Sequence, residues 1–451
     1  MKASRTSRHL VTALLAVAVI VVVAVACGGS GKTDQEPTNV TDARDQATSS
    51  PQVPATTQAS TAPTSTESPL VADPQKVEAL DEPTSTPVET SSEEVVERLA
   101  TPSLPVGGEV GDRAPEFSDI ANWINSEPLT MEELRGKVVL IDFWTYTCVN
   151  CIRTMPYLRE WQEKYADSGL AIIGVHSPEF DFEKLPDNVE RNTLNFGLEY
   201  PVAQDNNMGT WRAYSNRFWP AKYLIDKAGI VRYTHFGEGA YGETEKQIRV
   251  LLEEAGADLS SVALNTAPEP QIVPQAYAQN DPETRITREI YGGYERNNSP
   301  RGIYIAHSEY YSAPEQVVIY TDPGNHQNQF AYLQGPWFNG PEELRHARET
   351  ENYEDYIALK FFATSVNAVI DPNGGDPFEV QVTIDGRPLR PEEAGADVIV
   401  TDARSYFRVD EARMYEVVAL PDFSGHELKL SANSPDFSFF AFTFGAYAEG
   451  P

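Results

Sequence analysis

The chain has 451 residues, more than one hydrophobic core usually serves, so two or more folded units are expected. Apolar side chains make up 41%, and 67 acidic against 35 basic residues leave a net charge of −32. Such a surface repels phosphate backbones and argues against nucleic acid as a partner; solubility is its plainer use. There are three cysteines, Cys27, Cys148 and Cys151, too few for a disulfide framework or a thiol-rich zinc site. No histidine pair lies near enough to complete a mixed site, so no metal is expected.

At the N-terminus, Lys2, Arg5 and Arg8 precede an apolar run over residues 10–26. A basic flank, an apolar core and small residues before a break make a secretory signal. The run ends Ala24-Val25-Ala26-Cys27-Gly28-Gly29, which resembles a bacterial lipoprotein box, with Ala24 where leucine is usual. That resemblance implies cleavage before Cys27 and lipidation of Cys27, so that residues 1–27 are an address. An uncleaved signal anchor is the other reading, and both put the remainder on the extracytoplasmic face of the cell membrane. Residues 28–107 are Thr, Ser, Pro, Gln and Glu with few large apolar side chains. Such a stretch cannot offset its ordering entropy by burial and reads as a disordered tether.

Residues 108–256 read as a globular α/β unit. Residues 138–144, Val-Val-Leu-Ile-Asp-Phe-Trp, form a continuous β-prone run suited to a buried strand. Cys148 and Cys151 follow, and then Leu158, Trp161 and Tyr165 recur at helical spacing over residues 153–165. The C-x-x-C therefore lies where a strand stops and a helix starts. There the unpaired N–H groups and the helix dipole favour a thiolate at Cys148, the nucleophile, while Cys151 lies one turn on, placed to resolve a mixed disulfide. An inert disulfide or a metal clip is the bland alternative. Asp142 stands inside the apolar strand, where a carboxylate needs a partner or a raised pKa, and beneath a dithiol it can take the proton of Cys151. The alternative is an Asp turned to solvent at a sheet edge. Further strands are expected at 170–175, 201–204, 222–225 and 230–236, with a closing helix over 243–254. His176, at a strand end, reads as a hydrogen-bonded loop histidine before a proton shuttle.

Asp142-Phe143-Trp144-x-x-x-Cys148-x-x-Cys151 resembles the thioredoxin active-site strand. Residues 144–151 and Gly174-Val175-His176-Ser177-Pro178-Glu179-Phe180 are similar to the narrower TlpA/DipZ-like group of thiol–disulfide oxidoreductases. So are residues 211–214, Trp219-Pro220-Ala221-Lys222-Tyr223-Leu224-Ile225-Asp226 and residues 236–239, in collinear order over about 110–255. The resemblance implies a thioredoxin-like fold, a central mixed sheet flanked by helices. It implies that the Cys148–Cys151 disulfide is itself the redox group, without a further cofactor. It makes Pro220 a cis-proline facing the dithiol, and it assigns Pro220, Trp219 and Trp144 to substrate binding. Exported proteins with disulfides would be the substrates, and a CcdA-type membrane carrier the electron donor. The Val149-Asn150 interior departs from the Gly-Pro of thioredoxin, so redox direction does not carry over.

Two other chemistries have echoes here. Thr145-x-x-Cys148 is similar to the peroxiredoxin arrangement, but Ile141 stands where its proline belongs, so thiol peroxidase is an alternative function only. Covalent haem attachment needs a histidine after Cys151, and Ile152 is there.

Residues 257–283 read as a linker, and residues 284–451 as short alternating strands between turns: 378–384, 405–409, 415–419, 426–431 and 437–444. That pattern predicts an antiparallel β-sandwich. Members of the same group carry a sandwich resembling a carbohydrate-binding module here. Tyr291, Tyr294, Tyr304, Tyr310, Tyr311 and Trp337 are candidates to stack on a glycan, although core packing is the commoner use of such rings. A glycan- or partner-binding lipoprotein with a vestigial dithiol is therefore the alternative from another class.

Overall fold

A computed structural model describes residues 104–447 apart from 275, 277–280, 282 and 299–301. Cys27, the apolar run at 10–26 and nearly all of the 28–107 segment lie outside the described residues. Among those described, no helix is long and apolar enough to cross a membrane.

The first half is a six-stranded sheet of order β1-β4-β3-β2-β5-β6. Its strands are β1 (Asn122–Ile124), β2 (Val138–Trp144), β3 (Leu170–His176), β4 (Val202–Gln204), β5 (Ala221–Ile225) and β6 (Val231–Phe236). Strands β2, β3 and β4 run parallel, β1 and β5 join them antiparallel, and β6 closes antiparallel on β5. Four helices are threaded between the strands: α1 (Val149–Tyr165), α2 (Pro186–Asn195), α3 (Gly209–Ala213) and α4 (Tyr241–Ala255). This is the thioredoxin-like mixed sheet that the resemblance implied. All seven residues of β2 are buried, because the sheet is covered on both faces and β2 lies at its middle. Val138, Leu140 and Trp144 pack in the cluster of α1 and α4, whereas Val139, Ile141 and Phe143 pack on the opposite face with Met131 and Tyr214.

In the second half the paired strands all run antiparallel. It comprises β7 (Ile290–Tyr291), β8 (Val317–Tyr320), β9 (Ala331–Asn339), β10 (Leu344–His346), β11 (Tyr356–Asp371), β12 (Phe378–Ile384), β13 (Ile399–Val400), β14 (Ser405–Val409), β15 (Arg413–Ala432) and β16 (Ser438–Gly445). One edge of β11 pairs with β9 through residues 356–359 and with β16 through residues 365–371. The sheet thus divides near Thr364 into two leaves that share β11 and β15 around one apolar core.

Sequence pattern places two strands at 415–419 and 426–431; the structure has the single β15 across both. Pro421 is tolerated because the pairing with β11 jumps from Ala419 to Ser424, and a proline in such a bulge owes no N–H to the ladder. The segment after α4 is fastened to the redox half. Arg249 donates to the carbonyls of Val262 and Leu259, and the Asn265 amide N–H donates to Glu245. Tyr310 and Trp337 are buried in the core, which removes them from any sugar-stacking surface.

Candidate active site

Strand β2 ends at Trp144, the turn Thr145–Thr147 follows, and Cys148 caps α1 with extended backbone (φ −79°, ψ 108°). The amide N–H of Cys151 points at the sulfur of Cys148 at 3.2 Å, and the Ile152 N–H donates to the Cys148 carbonyl at 3.0 Å. The first turn of α1 holds no acidic residue, so nothing there offsets the positive end of the helix. Cys148 and Cys151 are joined in a disulfide with Cα atoms 5.2 Å apart. Cys148 is half-buried, and Cys151 is buried at 1% exposure. Cys148 is thus the more accessible of the two sulfurs.

Asp142 alternates with Leu140 and Trp144, which places it on the α1 face of the sheet, the side of Cys151. It is 2% exposed, and its register partner on β5 is Lys222, itself fully buried, with Nζ 3.6 Å from Oδ1. Burial pushes the Asp142 carboxyl up to about 6, with the Lys222 ammonium pulling the other way. Burial pushes the Lys222 ammonium down, opposed in turn by Asp142. A carboxyl poised near 6 behind a thiol is a competent proton acceptor at neutral pH.

The Trp219–Pro220 peptide is cis. Pro220 is buried at the entry to β5, and its carbonyl accepts the Gly237 N–H at 2.8 Å. Trp219 packs against the same cluster as Cys148, donates its indole N–H to the Ser177 carbonyl at 3.0 Å, and lies 4.3 Å from Trp211 between ring centroids. Beside it, Phe218 (51% exposed) and Phe236 (46%) meet at 5.4 Å and offer an apolar surface. The structure therefore gathers Cys148, Cys151, Asp142, Trp219 and Pro220 around one corner of the sheet. Trp144 differs. At 1% exposure it lies in the core, edge-on to His176 and Phe196, and supports the turn from beneath rather than lining a substrate surface.

Several functional candidates escape a sequence reading. Lys222 carried the same signal as Asp142, a charge inside an apolar strand, and pairing the two charges would have found it. Glu183 gave no such signal, because Asp181 and Lys184 flank it with charge and no apolar run sets it apart. It is fully buried, and its Oε1 accepts the Thr147 hydroxyl at 2.6 Å. Its Oε2 accepts the N–H groups of Glu179 (2.5 Å) and Phe180 (3.0 Å). Burial pushes it up to about 7, with the Thr145 and Thr147 hydroxyls opposing. His176 is buried between Trp144 and Tyr146 with Nε2 3.3 Å from the Thr145 hydroxyl, and burial holds it down at about 3. It is therefore a neutral packing residue at the end of β3 rather than the loop histidine expected from the sequence.

The C-terminal domain reaches this corner. Phe440 of β16 packs edge-on to Phe180 (5.1 Å) and Phe182 (4.8 Å). Glu179 accepts from Arg296 (2.8 Å) and from the Tyr291 hydroxyl (3.1 Å).

Comparison with known proteins agrees with this geometry. Residues 110–234 match the AhpC/TSA family, and residues 287–445 match the family described as "Thioredoxin like C-terminal domain". The chain is 38% identical to Protein DipZ of Mycobacterium tuberculosis over 281 residues, 61% of this chain and 37% of that protein. It thus spans little more than a third of the length of that relative. It is 30% identical to thiol-disulfide oxidoreductase YkuV of Bacillus subtilis, over 31% of this chain and 94% of YkuV. It is also 30% identical to thiol-disulfide oxidoreductase ResA of Bacillus thuringiensis, over 32% of this chain and 78% of ResA. With the strand–turn–helix dithiol and these relatives together, the chain belongs to the thioredoxin-like thiol–disulfide oxidoreductases.

Proposed function

We propose that the chain is an extracytoplasmic reductase of protein disulfides, held at the membrane by a lipid on Cys27. The observation that carries the reading is the buried Asp142–Lys222 pair on the face of the sheet that holds Cys151. In the reduced protein, the Cys148 thiolate attacks one sulfur of a substrate disulfide. That S–S bond breaks, a Cys148–substrate disulfide forms, and the departing substrate thiolate takes a proton from water. Asp142 then accepts the proton of Cys151. The Cys151 thiolate attacks the Cys148 sulfur, the mixed disulfide breaks, and the second substrate thiolate leaves. Two electrons have passed to the substrate, and the protein holds the Cys148–Cys151 disulfide.

Trp219, Phe218 and Phe236 supply an apolar bed for an unfolded or extended substrate segment beside Cys148. Reduction of the spent disulfide requires a dithiol donor, for which a CcdA-type membrane carrier is the proposed source. The acidic, Thr/Ser/Pro-rich segment at 28–107 serves as the spacer between membrane and catalytic unit.

The test is insulin-disulfide reduction with dithiothreitol as donor, joined to a redox titration of the Cys148–Cys151 couple. Activity lost in Cys148→Ser and a potential near that of thioredoxin, about −270 mV, support a reductase. A potential near about −120 mV, the DsbA range, reverses the direction, and full activity in Cys148→Ser removes the assignment.

A further inference from the structure

Glu183 has no solvent exposure, and both of its carboxyl oxygens accept hydrogen bonds. Thr147 and Thr145 offer hydroxyls from the turn that ends at Cys148, and Glu179 and Phe180 offer backbone N–H groups from its own segment. Burying a carboxylate costs several kcal/mol unless its lone pairs are filled, and here both oxygens are engaged. The turn itself has few other ties. The Cys148 N–H reaches the Thr145 carbonyl at only 3.4 Å, and the Thr145 hydroxyl meets His176 at 3.3 Å. Glu183 is thus the strongest polar anchor of the three residues that present the attacking sulfur.

The other end of the anchor lies in the second domain. The segment that carries Glu183 is gripped by Phe440 against Phe180 and Phe182 and by Arg296 and Tyr291 on Glu179. The Asp181 N–H also donates to Glu342 at 2.8 Å. The ring of Phe440 is 6% exposed, so the contact is a packed one. We propose that Glu183 is a positioning residue for Cys148, and that the C-terminal domain sets the geometry of the dithiol through it. The proposal rests on the redox reading above and gives the C-terminal domain a role within the same site.

Displacement of a reacting group by about 1 Å costs on the order of a hundredfold in rate, so partial loss of this anchor is expected to cost about tenfold. Glu183→Gln keeps the size but must turn its NH2 toward a donor. Thr147→Val cuts one bond and leaves the buried carboxylate in place, which guards against a variant that fails to fold. Phe440→Ala touches neither the turn nor the carboxylate. The groups that face Glu183 and titrate or carry charge are Glu179 on its own segment, His176 of β3 through Thr145, and Tyr146 of the turn. Arg191 of α2 and Asp371 of β11 act on Tyr146 from the far side.

The experiment measures iodoacetamide alkylation of Cys148 in the reduced full chain across pH 5–9, beside insulin reduction at pH 7. Wild type is expected to show the thiol's own transition and a second inflection near 7, where Glu183 ionises. In Glu183→Gln the second inflection disappears and insulin reduction falls about tenfold. Thr147→Val falls by a similar factor, and Phe440→Ala falls about threefold with the inflection displaced. A wild-type profile carrying the thiol transition, matched unchanged by Glu183→Gln, overturns the positioning role alone. An unchanged profile in Phe440→Ala overturns the part played by the C-terminal domain. If Cys148 of wild type alkylates no faster than a free thiol, the redox reading fails and this one falls with it.

Discussion

Asp142 and Lys222 stand opposite each other in the β2–β5 ladder, 3.6 Å apart between Oδ1 and Nζ and both sealed from solvent. Each group's burial pushes it toward its neutral form and each partner pulls it back. In the mechanism proposed above, this pair is the base for the resolving thiol.

Removal of Lys222 should disable that base without touching a sulfur. In Lys222→Met, Asp142 loses the cation that opposes its burial, its pKa climbs further, and it stays protonated at pH 7. Resolution by Cys151 then slows and Cys148–substrate disulfides accumulate, while the first attack keeps its rate. Quenched-flow separation of the two steps checks this. Loss of the partner also costs stability, because the buried Asp142 must take up a proton to stay in the fold, and Asp142→Asn in the same chain should restore much of it.

The buried carboxyl at Glu183 gives stability a pH dependence of definite sign. Its folded pKa, about 7, exceeds the ordinary 4.5, so the folded state holds the proton longer. Its contribution is complete below about pH 4.5 and is lost as pH rises through 7. The loss amounts to on the order of 3 kcal/mol. Asp142 acts with the same sign, from 3.8 up to about 6. His176, held at about 3, acts oppositely as pH falls below 6.5. Urea denaturation should therefore compare wild type with Glu183→Gln at each pH, and the stability of wild type relative to the variant should rise as pH falls from 7 to 5.

The half-buried Cys148 and buried Cys151 predict an asymmetric trap. Cys151→Ser should capture disulfide partners covalently through Cys148, and Cys148→Ser should capture few. Faster alkylation of Cys151 than of Cys148 in the reduced protein would reverse the assigned roles.

If Cys27 carries the anchor, Cys27→Ser should leave the precursor uncleaved and should abolish labelling by fatty-acid analogues. Equal labelling of the variant would assign the membrane attachment elsewhere.

What the sequence makes legible here follows from the range of the forces involved. Strand β2 is read to the residue because seven consecutive β-prone side chains admit little else, and Asp142 stands out against them. The C-x-x-C at the helix start is equally local. Lys222 needs one step more, since a charge in β5 acquires meaning only when β5 is laid beside β2. Glu183 is beyond that reach, because the segment that carries it is held from Phe440, more than 250 positions away along the chain. The same holds for β15, where Pro421 reads as a strand end until the jump in its pairing with β11 is seen.

The contact of Phe440 with Phe180 and Phe182 bears on how such chains can be recombined. Val369, Met414, Phe440 and Ala441 belong to the same apolar cluster as Leu158 and Trp161 of α1. A redox half cut free near residue 256 would present two phenylalanines to water and leave Glu179 without its arginine. A fusion that exchanges the C-terminal half of this chain therefore has to supply an aromatic where Phe440 stands and a cation where Arg296 stands, or it leaves both contacts of the redox half open.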